Sequence, residues 1–331
     1  MAPASREHIR AAAQQLGYHP DAYARSLRRR RSQTIAVLAF DLSDPLCVPI
    51  VRGIQEGLKE ANYLPLLMDA RAERTLFDGY LQMVLESRSE GLIVIASWIF
   101  EETDLLADIK KNGVPIVIVG RDWTRCGISS ILVNNEAGGT LAVRHLYELG
   151  HRRIAVIRGP EKLFASAPRW AGMQRGAAEV GIQTDPRLLF QLPGDLGPTS
   201  GFEGGLRFAR QMLASGRPFT AVLAFDDLTA LGVVRGLTEA GLRVPEHHSV
   251  LGFDDVLPAV VATPGITTIR QPLRKMGLKA ADWMLKMIET MERKSELTAR
   301  LYKAQPELVV RASTARTIRK RGASSVRLPK A

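Results

Sequence analysis

The sequence holds only two cysteines, Cys47 and Cys126, in 331 residues. Two thiols so far apart supply neither a disulfide framework nor a thiolate metal site. Its six histidines are no better placed. His247-His248 is an adjacent pair in a predicted loop, without metal-ligand spacing, and His8, His19, His145 and His151 form no local cluster. No nucleophile-elbow or phosphate-loop pattern occurs. Gly201-Phe202-Glu203-Gly204-Gly205 is glycine-rich but reads as the opening of a helix. These absences argue against an enzyme and predict no cofactor and no metal. No apolar run approaches the roughly 20 residues of a membrane span, and residues 1–34 lack the apolar core of a secretion signal. The expectation is a cytoplasmic protein with no membrane partner.

What is present is basic charge, unevenly spread. The net charge is +11. Residues 1–34 carry seven arginines against Glu7 and Asp21, and residues 311–331 carry seven cations and no acid. The long stretch between is close to neutral, so polyanion contact is expected at the ends of the chain, not over its whole surface. A hydrophobic content of 46% over this length supports a sizeable core and two or three domains.

Along the chain, residues 4–16 read as a helix with Ile9, Ala12, Ala13 and Leu16 on one face. From Thr34 the pattern alternates. Apolar strand-like runs at 34–40, 64–68, 91–96, 114–119 and 130–133 are separated by helical patterns at 48–62, 76–88 and 101–112. A second set follows, with strands at 154–157, 188–192, 221–224, 249–253 and 265–269 and helices at 137–149, 169–180, 200–215 and 228–240. Residues 272–290 form a long helix and 306–311 a last strand-like run. Such alternation predicts an α/β protein with two tandem doubly wound lobes, each a parallel sheet covered on both faces.

Between the first helix and the first lobe lies Tyr18-His19-Pro20-Asp21-Ala22-Tyr23-Ala24-Arg25-Ser26-Leu27-Arg28, followed by Arg29 to Arg31. Gly17 ends the preceding helix, Pro20 holds the chain extended and Asp21 can cap a new helix of about two turns. Helices this short are marginal alone. Five arginines in seven residues attract phosphate, and the lone large apolar side chain, Leu27, can act as a wedge in a minor groove. A solvated, arginine-rich interdomain linker accounts for the charge equally well.

Leu16-Gly17-Tyr18, Pro20-Asp21 and Ala24-Arg25-Ser26-Leu27-Arg28, followed by Thr34-Ile35-Ala36-Val37, resemble the hinge of the LacI/GalR family of bacterial transcription regulators. The resemblance extends from Pro3 to about Ala315. Further segments carry it: Asp41-Leu42-Ser43-Asp44-Pro45, His145 to Ile157, Gly252-Phe253-Asp254-Asp255, Thr267 to Pro272, and Glu307 to Thr314. It implies a periplasmic-binding-protein-like effector domain preceded by the remnant of a helical DNA-binding head and a hinge helix. Residues 1–19 would be the head's third helix, and 20–33 the hinge and linker. Residues 34–134 with 271–299 would form the N-terminal lobe, and 135–270 with 300–314 the C-terminal lobe, the chain crossing near Asn134, Ile269 and Arg300. Residues 315–331 would be a basic, disordered tail without leucine heptads. The head's first two helices do not precede Met1, and the expectation is a start placed too late in a longer reading frame.

The resemblance also implies a function and its residues. Tyr18, Ala24, Arg25, Leu27 and Arg28 would contact operator DNA through a hinge that folds in a homodimer. Asp41, Leu46, Cys47, Arg169, Leu196, Asp226, Asp254 and Gln271 would line the site of a small-molecule effector, a sugar or another polar metabolite. Arg169 offers a planar fork of donors, Asp226 and Asp254 offer acceptors, and Gln271 offers both. Each is open to a structural reading as well, Arg169 and Asp254 as an ion pair. Relatives often place aromatic rings where this chain has Leu46, Cys47 and Leu196. Without such rings a stacked sugar or purine loses its platform; Trp98, Trp123 or Trp170 could replace it or simply pack. Cys47 reads either as a reactive thiol or as a small buried hydrophobe. Two other functions share the fold: a headless small-molecule sensor, and a periplasmic-type sugar-binding protein, which would need the missing secretion signal.

Overall fold

The computed structural model describes residues 12, 15, 32–87, 89–96, 108, 110–194 and 200–317. The DNA-contact residues Tyr18, Ala24, Arg25, Leu27 and Arg28 lie outside the described residues, as do Leu196, Trp98, nearly all of the predicted helix 4–16, most of the predicted helix 101–112 and the tail from 318.

The first lobe opens with β1 (Thr34–Ala39), α1 (Cys47–Glu60), β2 (Leu64–Asp69), α2 (Arg74–Glu86), β3 (Leu92–Ile95), β4 (Ile116–Val119) and β5 (Ser129–Val133). Every residue of β3, β4 and β5 is buried, as central strands covered on both faces must be. Period-two alternation divides their side chains. Ile35, Val37, Ile93, Ile95, Val117 and Val119 pack with α1 on one side of the sheet. Ala36, Leu38, Leu92, Val94 and Ile118 pack against Phe77, Leu81 and Val84 of α2 on the other.

The second lobe runs through α3 (Asn135–Glu148), β6 (Ile154–Arg158), α4 (Ser166–Glu179), β7 (Leu189–Gln191), α5 (Ser200–Ala214), β8 (Ala221–Leu223), α6 (Asp227–Glu239), β9 (Ser249–Asp254), α7 (Leu257–Val261) and β10 (Thr267–Arg270). The chain then returns to the first lobe as α8 (Leu273–Glu292), whose Met276, Ala280, Ala281 and Met284 complete the core over α1. With β11 (Leu301–Ala304) and β12 (Glu307–Val309), the described residues form two six-stranded sheets, in the orders β11-β5-β4-β3-β1-β2 and β12-β10-β9-β8-β6-β7.

The last two strands correct the expected boundaries. Residues 300–304 do not belong to the second lobe. β11 (Leu301–Ala304) pairs in parallel with β5, from Leu301 opposite Ser130 to Ala304 opposite Val133. The third crossover therefore falls at Gln305-Pro306, not near Arg300. Leu301-Tyr302-Lys303 is exposed on an edge strand, so it shows no apolar run, and only its pairing identifies it. β12 (Glu307–Val309) joins the second sheet antiparallel to β10, the departure from an otherwise parallel pattern. The second lobe's packing also continues beyond 314. Ala315 donates its backbone N–H to Ser249 Oγ at 3.0 Å, and Thr317 N–H bonds to Leu149 O at 2.9 Å.

The crossovers are stitched together. Asn134 caps α3 by accepting from Ala137 N–H, donates its own N–H to Ala304 O at 2.8 Å, and reaches Gln305 Oε1 through its side-chain amide at 3.3 Å. First and third crossings thus form one hydrogen-bonded unit.

Candidate ligand site between the lobes

Parallel strands aim their carboxyl ends at one edge of each sheet, where ligands of open α/β sheets bind. Here both edges meet in a cavity of about 210 Å³. Asp41, Asp44, Leu46 and Cys47 come from the β1–α1 connection and the start of α1, Ile95 and Val119 from the ends of β3 and β4, and Leu273 and Met276 from α8. The second lobe adds Asn135, Arg169, Phe225, Asp226, Asp227, Asp254 and Gln271. Of the eight candidate ligand residues expected from the sequence, seven line this cavity and Leu196 lies outside the described residues.

Arg169 is the centre of the second lobe's wall. It sits on the first turn of α4 and is 3% exposed. Close approach of α3 and α4 holds it there, because Gly139 and Gly172 each face the backbone of the other helix and a methyl group at either would collide with it. Nε and Nη2 of Arg169 donate to Asn135 Oδ1 at 3.1 and 3.0 Å, and Nη1 donates to the Phe225 carbonyl. The guanidinium lies over the rings of Phe253 and Phe225, 3.5 and 4.4 Å from their centroids. Asp254 Oδ1 is 3.8 Å from Nη2. Arg169 is thus both a buried ion-pair partner and part of the cavity wall, which unites the two readings of it. The sequence offered no sign of Asn135 or Phe225 as its partners, since they come from other elements.

Asp254 ends β9 with φ +114°, and Asp255 follows at +64°. That pair of left-handed residues turns successive carboxylates in opposite directions. Asp254 is 7% exposed and accepts from Gln271 Nε2 at 2.5 Å. Asp255 bonds Arg270 Nε at 2.6 Å and Arg311 from the far side of the crossover. Burial pushes Asp254 well above the ordinary carboxylate range, and the charge of Arg169 opposes this.

Asp226 caps α6, accepting from Thr229 N–H at 2.7 Å. Asp227 is buried behind it and accepts from Thr268 Oγ1 at 2.6 Å and Val256 N–H at 2.9 Å. Burial lifts Asp227 to about 7, against those hydrogen bonds. On the first lobe, Asp41 Oδ1 accepts from Ser43 N–H and Oγ, and Asp44 Oδ1 accepts from Leu46 N–H at 2.9 Å. Burial raises Asp44 to about 6, assisted by Asp226 and Asp41. Cys47 is buried and its Sγ donates to Asp41 O at 3.1 Å. Burial and the neighbouring carboxylates push its thiol up, so it is a small hydrophobe on the cavity wall and not a thiolate. Trp123 and Trp170 do not line the cavity; Trp123 packs on the first lobe's core and Trp170 on the second's.

Residues 143–314 match the periplasmic binding protein-like domain. Across 95% of the chain and 90% of the relative, the sequence is 31% identical to the HTH-type transcriptional repressor PurR of Photobacterium profundum. The chain belongs to the LacI/GalR family of transcriptional regulators. This is a family of ligand-responsive repressors, not of enzymes, with an effector-binding regulatory domain. Among solved structures, the lac repressor dimer bound to operator and the anti-inducer ONPF superposes with a TM-score of 0.78, at 27% identity over 95% of this chain and 92% of that one. The transcriptional regulator CelR in complex with cellobiose gives 0.74 at 27% identity, over 95% and 91%. Family membership separates the chain from the periplasmic carriers that share the two-lobed architecture. Among the described residues no helix is long and apolar enough to cross a membrane.

Proposed function

We propose that this repressor binds a small polar metabolite in the inter-lobe cavity and thereby sets its affinity for operator DNA through the basic segment 18–31. The supporting observation is that the cavity wall is shared, with Asp41, Asp44, Leu46 and Cys47 from one lobe and Arg169, Asp226, Asp254 and Gln271 from the other. A ligand touching both walls has different contacts in open and closed arrangements, and only such a difference shifts a population. Lobe rotation about the stitched crossovers moves the start of β1, and with it the preceding basic segment. Effector residues are Asp41, Arg169, Asp226, Asp254 and Gln271 as polar contacts, with Leu46 and Cys47 as apolar wall. Arg25 and Arg28 bind phosphate, Leu27 wedges a base step, and Tyr18 and Ala24 place them.

The molecule acts as a homodimer, since segments 20–33 are too short to hold helical form without a mate. The relative solved as a dimer on its operator favours the same assembly. The test is Leu27→Ala in the full chain, with DNA recovered from a random pool by the unaltered protein. Operator affinity should fall at least tenfold and affinity for an effector should stay the same. Unchanged operator affinity would remove the wedge from the mechanism.

A further inference from the structure

We infer, taking the cleft as the effector site, that its ligand carries a basic amine seated between the carboxylates of Asp44 on the first lobe and Asp226 on the second. Among the described residues, five carboxylates line the cavity, those of Asp41, Asp44, Asp226, Asp227 and Asp254, and Arg169 is the lining cation. Arg169 is already committed to Asn135, the Phe225 carbonyl and Asp254. Asp227 is held by Thr268 and Val256. The remaining three have no counter-charge: among the described residues Asp41, Asp44 and Asp226 form no ion pair. Each uses Oδ1 to accept from its own loop or helix start, and Oδ2 accepts nothing among the described residues. Asp254, 7% exposed, likewise bonds Gln271 through one oxygen only.

Charge and shape narrow the ligand. An anion would meet these carboxylates as like charges in a partly desolvated space, where repulsion is strong. A neutral polyol could donate hydroxyls to them but would leave the negative charge unanswered, which a buried site tolerates poorly. A bound metal ion needs its ligands gathered around one point, and among the described residues no group of three or more His, Cys, Asp or Glu side chains is so gathered. An organic ammonium group satisfies separated carboxylates through three rotatable donors. Leu46 and Cys47 present no stacking ring, and of the rings that line the cavity, Phe40 and Phe225, the latter is already covered by Arg169, so charge supplies much of the grip on the ligand. Because the two carboxylates belong to different lobes, an amine between them also draws the lobes together.

The test is calorimetry on the full chain with matched sets that differ only in one functional group: glucosamine, glucose and glucuronate; galactosamine, galactose and galacturonate; putrescine, butanediol and succinate. In at least one set the amine should bind tenfold or more tighter than its alcohol, which is about 1.4 kcal/mol, and the carboxylate should be weakest. Asp44→Asn with Asp226→Asn keeps the turn and helix-cap acceptors, since an amide oxygen also caps. It should bring amine and alcohol to within about threefold, and each single variant should fall between. An alcohol or carboxylate that binds tightest, or an amine preference that survives the double variant, overturns the amine assignment and leaves the cleft an effector site. Failure of every member of every set to bind overturns the cleft reading as well.

Discussion

Asp44 shows how burial and charge contend at a single residue. Its carboxyl faces the Leu46 N–H and Asp41 in its own loop and Asp226 across the cleft, and its proton affinity rises from 3.8 to about 6. A raised folded-state value means that the ionised form is disfavoured by folding. Asp44 therefore costs nothing at pH below about 4, and stability is lost as pH climbs toward about 6. Asp44→Asn should raise stability at about pH 7.5, by about 1–2 kcal/mol after allowance for partial exposure, and by nothing near pH 4. Thermal melts of both proteins across that range check it; a gain that grows on acidification contradicts the assignment. Side chains of this kind were legible by type. Arg169, Asp226, Asp254 and Gln271 stand beside recognisable segments. Their partners were not, because Asn135 and Phe225 meet Arg169 only after three separate elements have packed.

At the scale of elements, the carboxylate of Asp255 joins β9, the end of β10 and the segment after β12 through Arg270 and Arg311. This ties the turn that aims Asp254 to the second and third crossings of the chain. Asp255 is nearly buried, Arg311 is 18% exposed and Arg270 is 45% exposed. Removing the shared acid strands a nearly buried arginine, so Asp255→Ala should cost about 2–4 kcal/mol in urea unfolding. Arg270→Ala removes only the exposed arm and should cost less than about 1 kcal/mol. Equal losses would mean that the two arms are not distinct. The helical and strand segments were foreseen wherever apolar periodicity was strong, as for α1, where Ile50, Val51, Ile54 and Leu58 are buried, while Val48, expected on the same apolar side, is 47% exposed. β11 was missed for the opposite reason: its side chains are mostly exposed, and its strand character lies in backbone pairing with β5.

At the scale of the molecule, the edge of the first sheet is unusually apolar. Leu64 is 60% and Leu66 43% exposed on β2, and Met83 of α2 is 59% exposed. Bare apolar edge strands are aggregation hazards unless something covers them. On the second lobe Leu257 and Val261 of α7 are also exposed. In the homodimer proposed above, a second copy of the chain would cover these surfaces. Leu66→Glu with Met83→Glu should convert a dimer to a species of 36.4 kDa by light scattering. It should also weaken operator binding, because the proposed mechanism needs two basic segments held side by side. A variant that remains dimeric would move the interface elsewhere.

Periodicity, composition and short motifs are local properties of a chain. From them alone follow the α/β alternation, the two-lobed plan, the basic ends and the family. The resemblance also pointed to seven residues of the cavity wall, most of them on the connections and helix starts that follow the strands. Packing decided that Arg169 is shared between an ion pair and the cavity, that Cys47 is buried in the cavity wall, and that residues 301–304 return to the first sheet. Only in the folded chain, too, do Asp44 and Asp226, 182 positions apart, face each other across one cleft. These outcomes depend on which distant groups exclude water together, and that is a property of the packed chain, not of any segment in it.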